Sequence, residues 1–178
     1  MNPYSKDKKS QNGIFTGLML ASMENDIELA SILIQHGANV NMKDGGNHNA
    51  IYFALNSTKG DIKELVNLLI QNDININEPD YEGQTALTIA VNKNLKNIVK
   101  GLLENEANID HRVVKDGNTA MHYGVIQNRQ EIIKLLLTKK PNLTIRNNNN
   151  ETPLDIAAQV SNRTEIYSIL YVERRVFT

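Results

Sequence analysis

Five six-residue segments recur along this chain, and their spacing constrains the fold more tightly than any other feature. They are Thr16-Gly17-Leu18-Met19-Leu20-Ala21, Asn49-Ala50-Ile51-Tyr52-Phe53-Ala54, Thr85-Ala86-Leu87-Thr88-Ile89-Ala90, Thr119-Ala120-Met121-His122-Tyr123-Gly124 and Thr152-Pro153-Leu154-Asp155-Ile156-Ala157. Their first residues lie 33, 36, 34 and 33 apart. A fixed period in this range is the mark of a repeat protein, in which each unit buries its apolar face only against a neighbour. Each segment is followed by an apolar stretch: Leu29 to Ile34, Leu65 to Ile70, Ile98 to Leu103, Ile132 to Leu137 and, more weakly, Ile166 to Leu170.

The residue chemistry makes each unit a helix pair. Thr16, Thr85, Thr119 and Thr152 stand where a hydroxyl caps exposed backbone N–H groups, and Pro153 costs nothing at a first helical position. Asn25, Asn94 and Asn128 follow at the reversal, Asn being the non-glycine residue that best tolerates left-handed backbone, and Gly60-Asp61 serve there in the second unit after the insertion Ser57-Thr58-Lys59. The later stretches show i, i+3, i+4 apolar spacing, as Leu65, Leu68 and Leu69 do, which predicts a second helix with one buried face. Between units, Lys43-Asp44-Gly45-Gly46, Asp80-Tyr81-Glu82-Gly83 and Lys115-Asp116-Gly117 are hairpin-turn chemistry.

These segments resemble the Thr-Pro-Leu-His-x-Ala hallmark of the ankyrin family, whose unit is a turn and two antiparallel helices. The resemblance spans residues 13–171 and implies an all-α ankyrin-repeat solenoid of helix-turn-helix units joined by β-hairpin fingers. Repeats are expected at 13–45, 46–81, 82–115, 116–148 and 149–171, with a flexible N-terminal segment 1–12 and a C-terminal tail 172–178 that folds back or meets a partner. One extra residue is expected near His111-Arg112-Val113-Val114. Glu165 and Ser168 replace apolar residues of the fourth repeat, as a terminal cap should. Gly101 stands where Leu68 and Leu135 do, which predicts a gap in the helix–helix seam.

Composition narrows the function. Hydrophobic residues make up 40% and charged residues 22% of the 178, as in an ordinary folded domain. Lys plus Arg (19) nearly balances Asp plus Glu (20), so no global field draws the chain to nucleic acid or anionic membrane. With no cysteine there is no disulfide, thiolate or Cys-based zinc site, which suits the cytoplasm, including a host cytosol into which a protein is delivered. No apolar run approaches the roughly 20 residues of a membrane span. The glycosylation-like patterns at Asn56, Asn142, Asn150 and Asn162 are discounted, because Asn is abundant throughout. That abundance is read as codon bias.

No catalytic, cofactor or metal site is expected. His122 falls on the histidine of the hallmark, which the family uses structurally, while His36, His48 and His111 share no ligand spacing. There is no nucleophile elbow and no phosphate loop. By analogy with the family the expected function is to bind another protein as a monomer, through a concave surface of inner helices and fingers. Alternatives are a small effector or inhibitor from a parasite, symbiont or virus, or the targeting subunit of a larger complex. The resemblance places partner contacts beside each finger glycine, at Gly46 and His48; Tyr81, Glu82 and Gln84; Lys115, Asp116 and Asn118; and Asn148, Asn149 and Glu151. It places others at inner-helix ends, at Asn92, Lys93, Ile126 and Gln127. Tyr81 leads as an aromatic at a loop tip, and Ile126 is apolar where other repeats are polar. The resemblance also puts Asn41 and Asn77 at the position that asparaginyl hydroxylases modify in similar proteins.

Overall fold

The computed structural model describes residues 15–159 and 164–176, and the expectations for residues 1–12, Asn162 and the last two residues lie outside them. The described residues form helices and turns, with no strand among them. In order these are α1 (Gly17–Glu24), α2 (Ile27–Gln35), α3 (Ala50–Asn56), α4 (Lys63–Gln71), α5 (Ala86–Asn92), α6 (Lys96–Glu104), α7 (Ala120–Ile126), α8 (Gln130–Leu137), α9 (Pro153–Ala158) and α10 (Thr164–Val176). The fold is all-α. The chain divides into two compact units, one ending at Tyr81 and the other beginning at Glu82.

In the first unit α1 packs on α2 and α3, and α4 packs on both α3 and α2. Its core is Leu18, Met19, Ala30, Leu33, Ile51, Ala54, Leu65 and Leu69, all buried. In the second unit the inner helices α5, α7 and α9 lie side by side, α6 packs on α8, and α10 closes on α9. Leu87, Val99, Leu102, Met121, Ile133, Leu136, Ile166 and Leu170 fill its core.

Local chemistry explains the starts and stops. Thr16, Thr85 and Thr152 accept from the N–H three residues on, and in each case the fourth residue of the segment returns a bond to the cap N–H. Such reciprocal capping satisfies two of the donors a helix start leaves unpaired. Thr119 does it chiefly through the return arm, its N–H donating to Nδ1 of His122 at 3.1 Å. Asn25, Asn94, Asn128 and Gly60 take positive φ at the reversals, as their chemistry requires.

Two local expectations are corrected and two details are added. The left-handed residue of the second repeat's finger is Asn47 (φ 61°), between the expected contact residues Gly46 and His48. The extra residue of the fourth repeat's finger lies between Val113 and Asn118, at the end of the expected stretch. The bond closing that finger runs from Val113 N to Asn118 O, five residues apart, where Asp44 N to His48 O and Asn147 N to Glu151 O span four. Gly101 leaves no core gap, because Leu68 and Leu135 at the matching position are only half-buried, and the buried face of α6 is Ile98, Val99, Leu102 and Leu103. Finally, α10 runs through Val176 instead of ending at Tyr171. Glu165 and Ser168 are exposed on it while Ile166 and Leu170 are buried, which is the polar outer face a terminal repeat requires.

Candidate protein-binding surface

The fingers are rigid because polar side chains tie them to backbone. Asp44 Oδ1 accepts from the N–H of Gly46 (2.8 Å) and His48 (2.9 Å), and Oδ2 accepts from the His48 ring at 3.0 Å. Burial pushes the Asp44 carboxyl up, but these hydrogen bonds outweigh it and hold it below the usual carboxylate range. Asn147 repeats the arrangement in the last finger, its Oδ1 accepting from Asn149 and Glu151 at 3.0 Å. In the fourth repeat Asp116 Oδ1 accepts from Asn118 N at 2.9 Å and Oδ2 from the Tyr123 hydroxyl at 2.9 Å. Burial first, and then this acceptor, push the Tyr123 hydroxyl well above its ordinary value.

Neighbouring fingers within a unit are stitched by single backbone bonds. Tyr81 N reaches Gly46 O in the first unit, and Lys115 N reaches Glu82 O and Asn148 N reaches Asp116 O in the second. The expected contact residues thus meet in pairs. Glu82 and Lys115 add an ion pair at 3.2 Å, both side chains more than half exposed, so the pair contributes little to stability. His111 Nε2 donates to Gly83 O at 2.8 Å and fixes the widened finger on its neighbour.

The expected residues differ in accessibility. Tyr81 is 76% exposed, Ile126 36%, and Glu82, Lys93, Lys115, Gln127, Asn148 and Asn149 are all exposed. Gly46, His48, Gln84, Asn92, Asp116 and Glu151 are half-buried. Asn118 is corrected: it is 6% exposed and its Oδ1 accepts from Asn147 Nδ2 at 3.1 Å, so it braces the finger and offers a partner no surface. Val114 was missed. It is 76% exposed at the tip of the widened finger, a consequence of the inserted residue that the sequence signalled only by its count.

No constellation for chemistry stands among the described residues. His122 is fully buried, its Nδ1 accepting from Thr119 N and Oγ1 and its Nε2 donating to Glu151 O at 3.0 Å; burial first lowers its pKa, against the Glu151 hydrogen bond. His36 Nδ1 donates to Ile32 O at 2.7 Å, the end of its own helix. No group of three or more His, Cys, Asp or Glu is placed to hold a metal ion, and no helix is long and apolar enough to cross a membrane, among the described residues.

Helix pairs with Thr caps, left-handed Asn reversals and backbone-stitched fingers are what the family described as "Ankyrin repeats (3 copies)" should show, and that family matches residues 2–80, 18–113, 56–147 and 111–176. The chain belongs to the ankyrin repeat family. Ankyrin repeats are generally protein–protein interaction modules and are typically non-enzymatic. No curated protein matches the chain.

Proposed function

We propose that this ankyrin repeat chain binds a partner protein through its finger edges and the ends of its inner helices. The observation that carries the reading is the contrast between fixed finger backbones and exposed finger tips. Asp44, Asp116 and Asn147 use their carboxylate or amide oxygens inward, while Tyr81 and Val114 are each 76% exposed. Large side chains held out on an ordered backbone lose little entropy on binding, the property that concentrates affinity in a few anchors. Glu82 and Lys115 flank these tips with one charge of each sign, which sets orientation more than affinity.

The test is affinity capture with mass spectrometry to find the partner, followed by binding measurements on Tyr81→Ala, Glu82→Lys and Lys115→Glu. Each change should weaken the complex by roughly 1–2 kcal/mol with the thermal midpoint nearly unchanged, because these are exposed tip and rim positions. Undiminished binding by the triple variant would place the interface elsewhere.

A further inference from the structure

The inner-helix surface of the first unit differs from the others in being aromatic. Phe15 meets Phe53 edge to face with centroids 5.2 Å apart, Phe53 meets Tyr52 at 5.6 Å, and the His48 ring stacks on Tyr52 at 3.8 Å with 24° between planes. All four are half-buried. The cause lies at the fourth position of the repeated segment. Met19, Thr88, His122 and Asp155 reach back there to the cap N–H, but α3 has no such return bond, and Tyr52 lies against His48 instead. Gly46 completes the strip: a Cβ there would clash with the His48 ring, so its backbone lies on the imidazole, and its carbonyl accepts from Tyr81 N at 3.4 Å.

This strip sits in an acidic unit. Up to Tyr81 the chain carries six Lys and ten Asp or Glu. Two of those lysines are already engaged, Lys43 with Glu78 at 2.7 Å and Lys59 with Glu24 at 3.7 Å. From Glu82 onward the balance reverses, with thirteen Lys and Arg against ten Asp and Glu. The near-zero net charge of the whole chain therefore conceals two halves of opposite sign.

We infer that the aromatic strip of the first unit docks a cationic segment of the partner, an extended stretch in which Arg or Lys alternates with apolar side chains. This rests on the protein-binding reading above and names the partner's chemistry. Aromatic faces attract guanidinium and ammonium groups, and the aliphatic stems of Arg and Lys cover ring surface that a carboxylate side chain leaves bare. The excess of carboxylates draws such a segment in and repels an acidic one.

Fluorescence anisotropy on the full chain tests the inference, with a fluorescein-labelled Arg-Leu-Arg-Leu-Arg-Leu-Arg peptide and its twin bearing Glu for Arg. The Arg peptide should bind at least about tenfold tighter than the twin, and its affinity should fall as ionic strength rises. Tyr81→Ser should weaken it about threefold or more, and so should Tyr52→Ser, while Lys100→Ser on the exposed side of α6 in the second unit should not. Tyr81 is exposed, so its variant keeps the fold even if Tyr52→Ser loosens α3, which circular dichroism will show. Equal binding of the two peptides, no binding of either, or indifference to Tyr81→Ser overturns the inference. A natural partner that still responds to Glu82 and Lys115 after such a result leaves the protein-binding reading standing, so the two failures are distinguishable.

Discussion

The outer helices end on a left-handed residue that should be glycine and mostly is not. Gly37 (φ 80°) follows α2, but Asp73 (61°), Glu106 (62°) and Lys140 (52°) follow α4, α6 and α8. After Gly37 and Asp73 a double bond closes the helix, as when Gly37 N reaches Ile34 O and Ala38 N reaches Leu33 O; after Glu106 the longer bond recurs from Ala107 N to Leu102 O, and after Lys140 it is missing because Pro141 has no N–H. An L-residue in this conformation costs about 1–2 kcal/mol, and glycine returns about 0.5–1 kcal/mol of that through the entropy of the unfolded chain. Replacing Asp73 or Glu106 by Gly should therefore stabilise by about 0.5–1 kcal/mol from backbone alone. Both also place an anion at the negative end of a helix dipole, so its removal adds about 0.3–1 kcal/mol; Lys140 has the favourable sign, and Lys140→Gly gives up as much. The expected order is Glu106→Gly and Asp73→Gly well above Lys140→Gly, read as urea midpoints at constant m, or as about 2–4 °C in Tm per kcal/mol. Gly37→Ala should lose about 1 kcal/mol as the converse control. Should Lys140→Gly gain more than Glu106→Gly, or Gly37→Ala cost nothing, the strain argument is refuted.

Other expectations follow from single sites. Ser22 is fully buried with Oγ unpaired, at a position where Leu55, Val91 and Val125 are buried in the next three repeats, so Ser22→Ala should stabilise by about 1 kcal/mol in chemical denaturation. Gly117→Ala should cost more than about 2 kcal/mol, since φ is 73° and the new Cβ would lie 2.8 Å from Asn148 N, and amide exchange should accelerate across residues 113–118. Gly101→Ala should gain only about 0.5–1 kcal/mol, the helix propensity difference, and a larger gain would show a core gap after all. Because burial lowers the His122 pKa in the folded state, the unfolded chain binds the extra proton, so this stabilisation is full above the ordinary histidine range and is lost as pH falls through it. Asp44, Glu78, Glu131 and Glu151 have lowered pKa values and lose theirs only in the more acidic carboxylate range, so His122→Asn should flatten the first window and leave the second.

The helix pairs were legible because each depends on chemistry confined to a few residues. Thr at a cap and Asn at a left-handed reversal act within one turn, so reading them needs no tertiary information. What escaped was whatever depends on a neighbouring repeat, or on which of several adjacent turn formers takes the bend. Gly45 and Gly46 advertise a left-handed turn, yet Asn47 takes it, because Asp44 gathers the N–H groups of Gly46 and His48 and brings the turn onto the next residue. Asn118 looked like a contact residue by its distance from the finger glycine, but Asn147 of the following finger covers it. The aromatic strip joins Phe15, His48, Tyr52 and Phe53 across two repeats, and its only local signal was an aromatic ring in Tyr52 at a position where a reach-back group belongs.

The abundance of Asn has a structural account that composition alone did not suggest. Asn39, Asn75, Asn108 and Asn142 hold one position in four successive repeats, and each amide oxygen accepts from the N–H two residues on: Asn41 at 2.9 Å, Asn77 at 3.1 Å, Asp110 at 3.2 Å and Thr144 at 2.9 Å. Such a turn replaces a backbone hydrogen bond with a side-chain one and bends the chain out of the helix pair toward the finger. Two residues further on the same chemistry reaches the next repeat. In the first unit Asn41 Oδ1 accepts from Asn75 N at 2.7 Å and its amide donates to Asp73 O at 3.0 Å; in the second, Asp110 Oδ1 accepts from Asn142 N at 2.9 Å. Asp110 keeps the acceptor and has no amide to donate, so the two joints are held by different numbers of bonds. Codon usage could supply asparagines anywhere, but it would not place an acceptor at the same step of four repeats. The need for that acceptor at each bend accounts for the placement, and the glycosylation-like pattern at Asn142 belongs to the same turn, since the Thr144 hydroxyl also donates to the Asn142 oxygen at 2.7 Å.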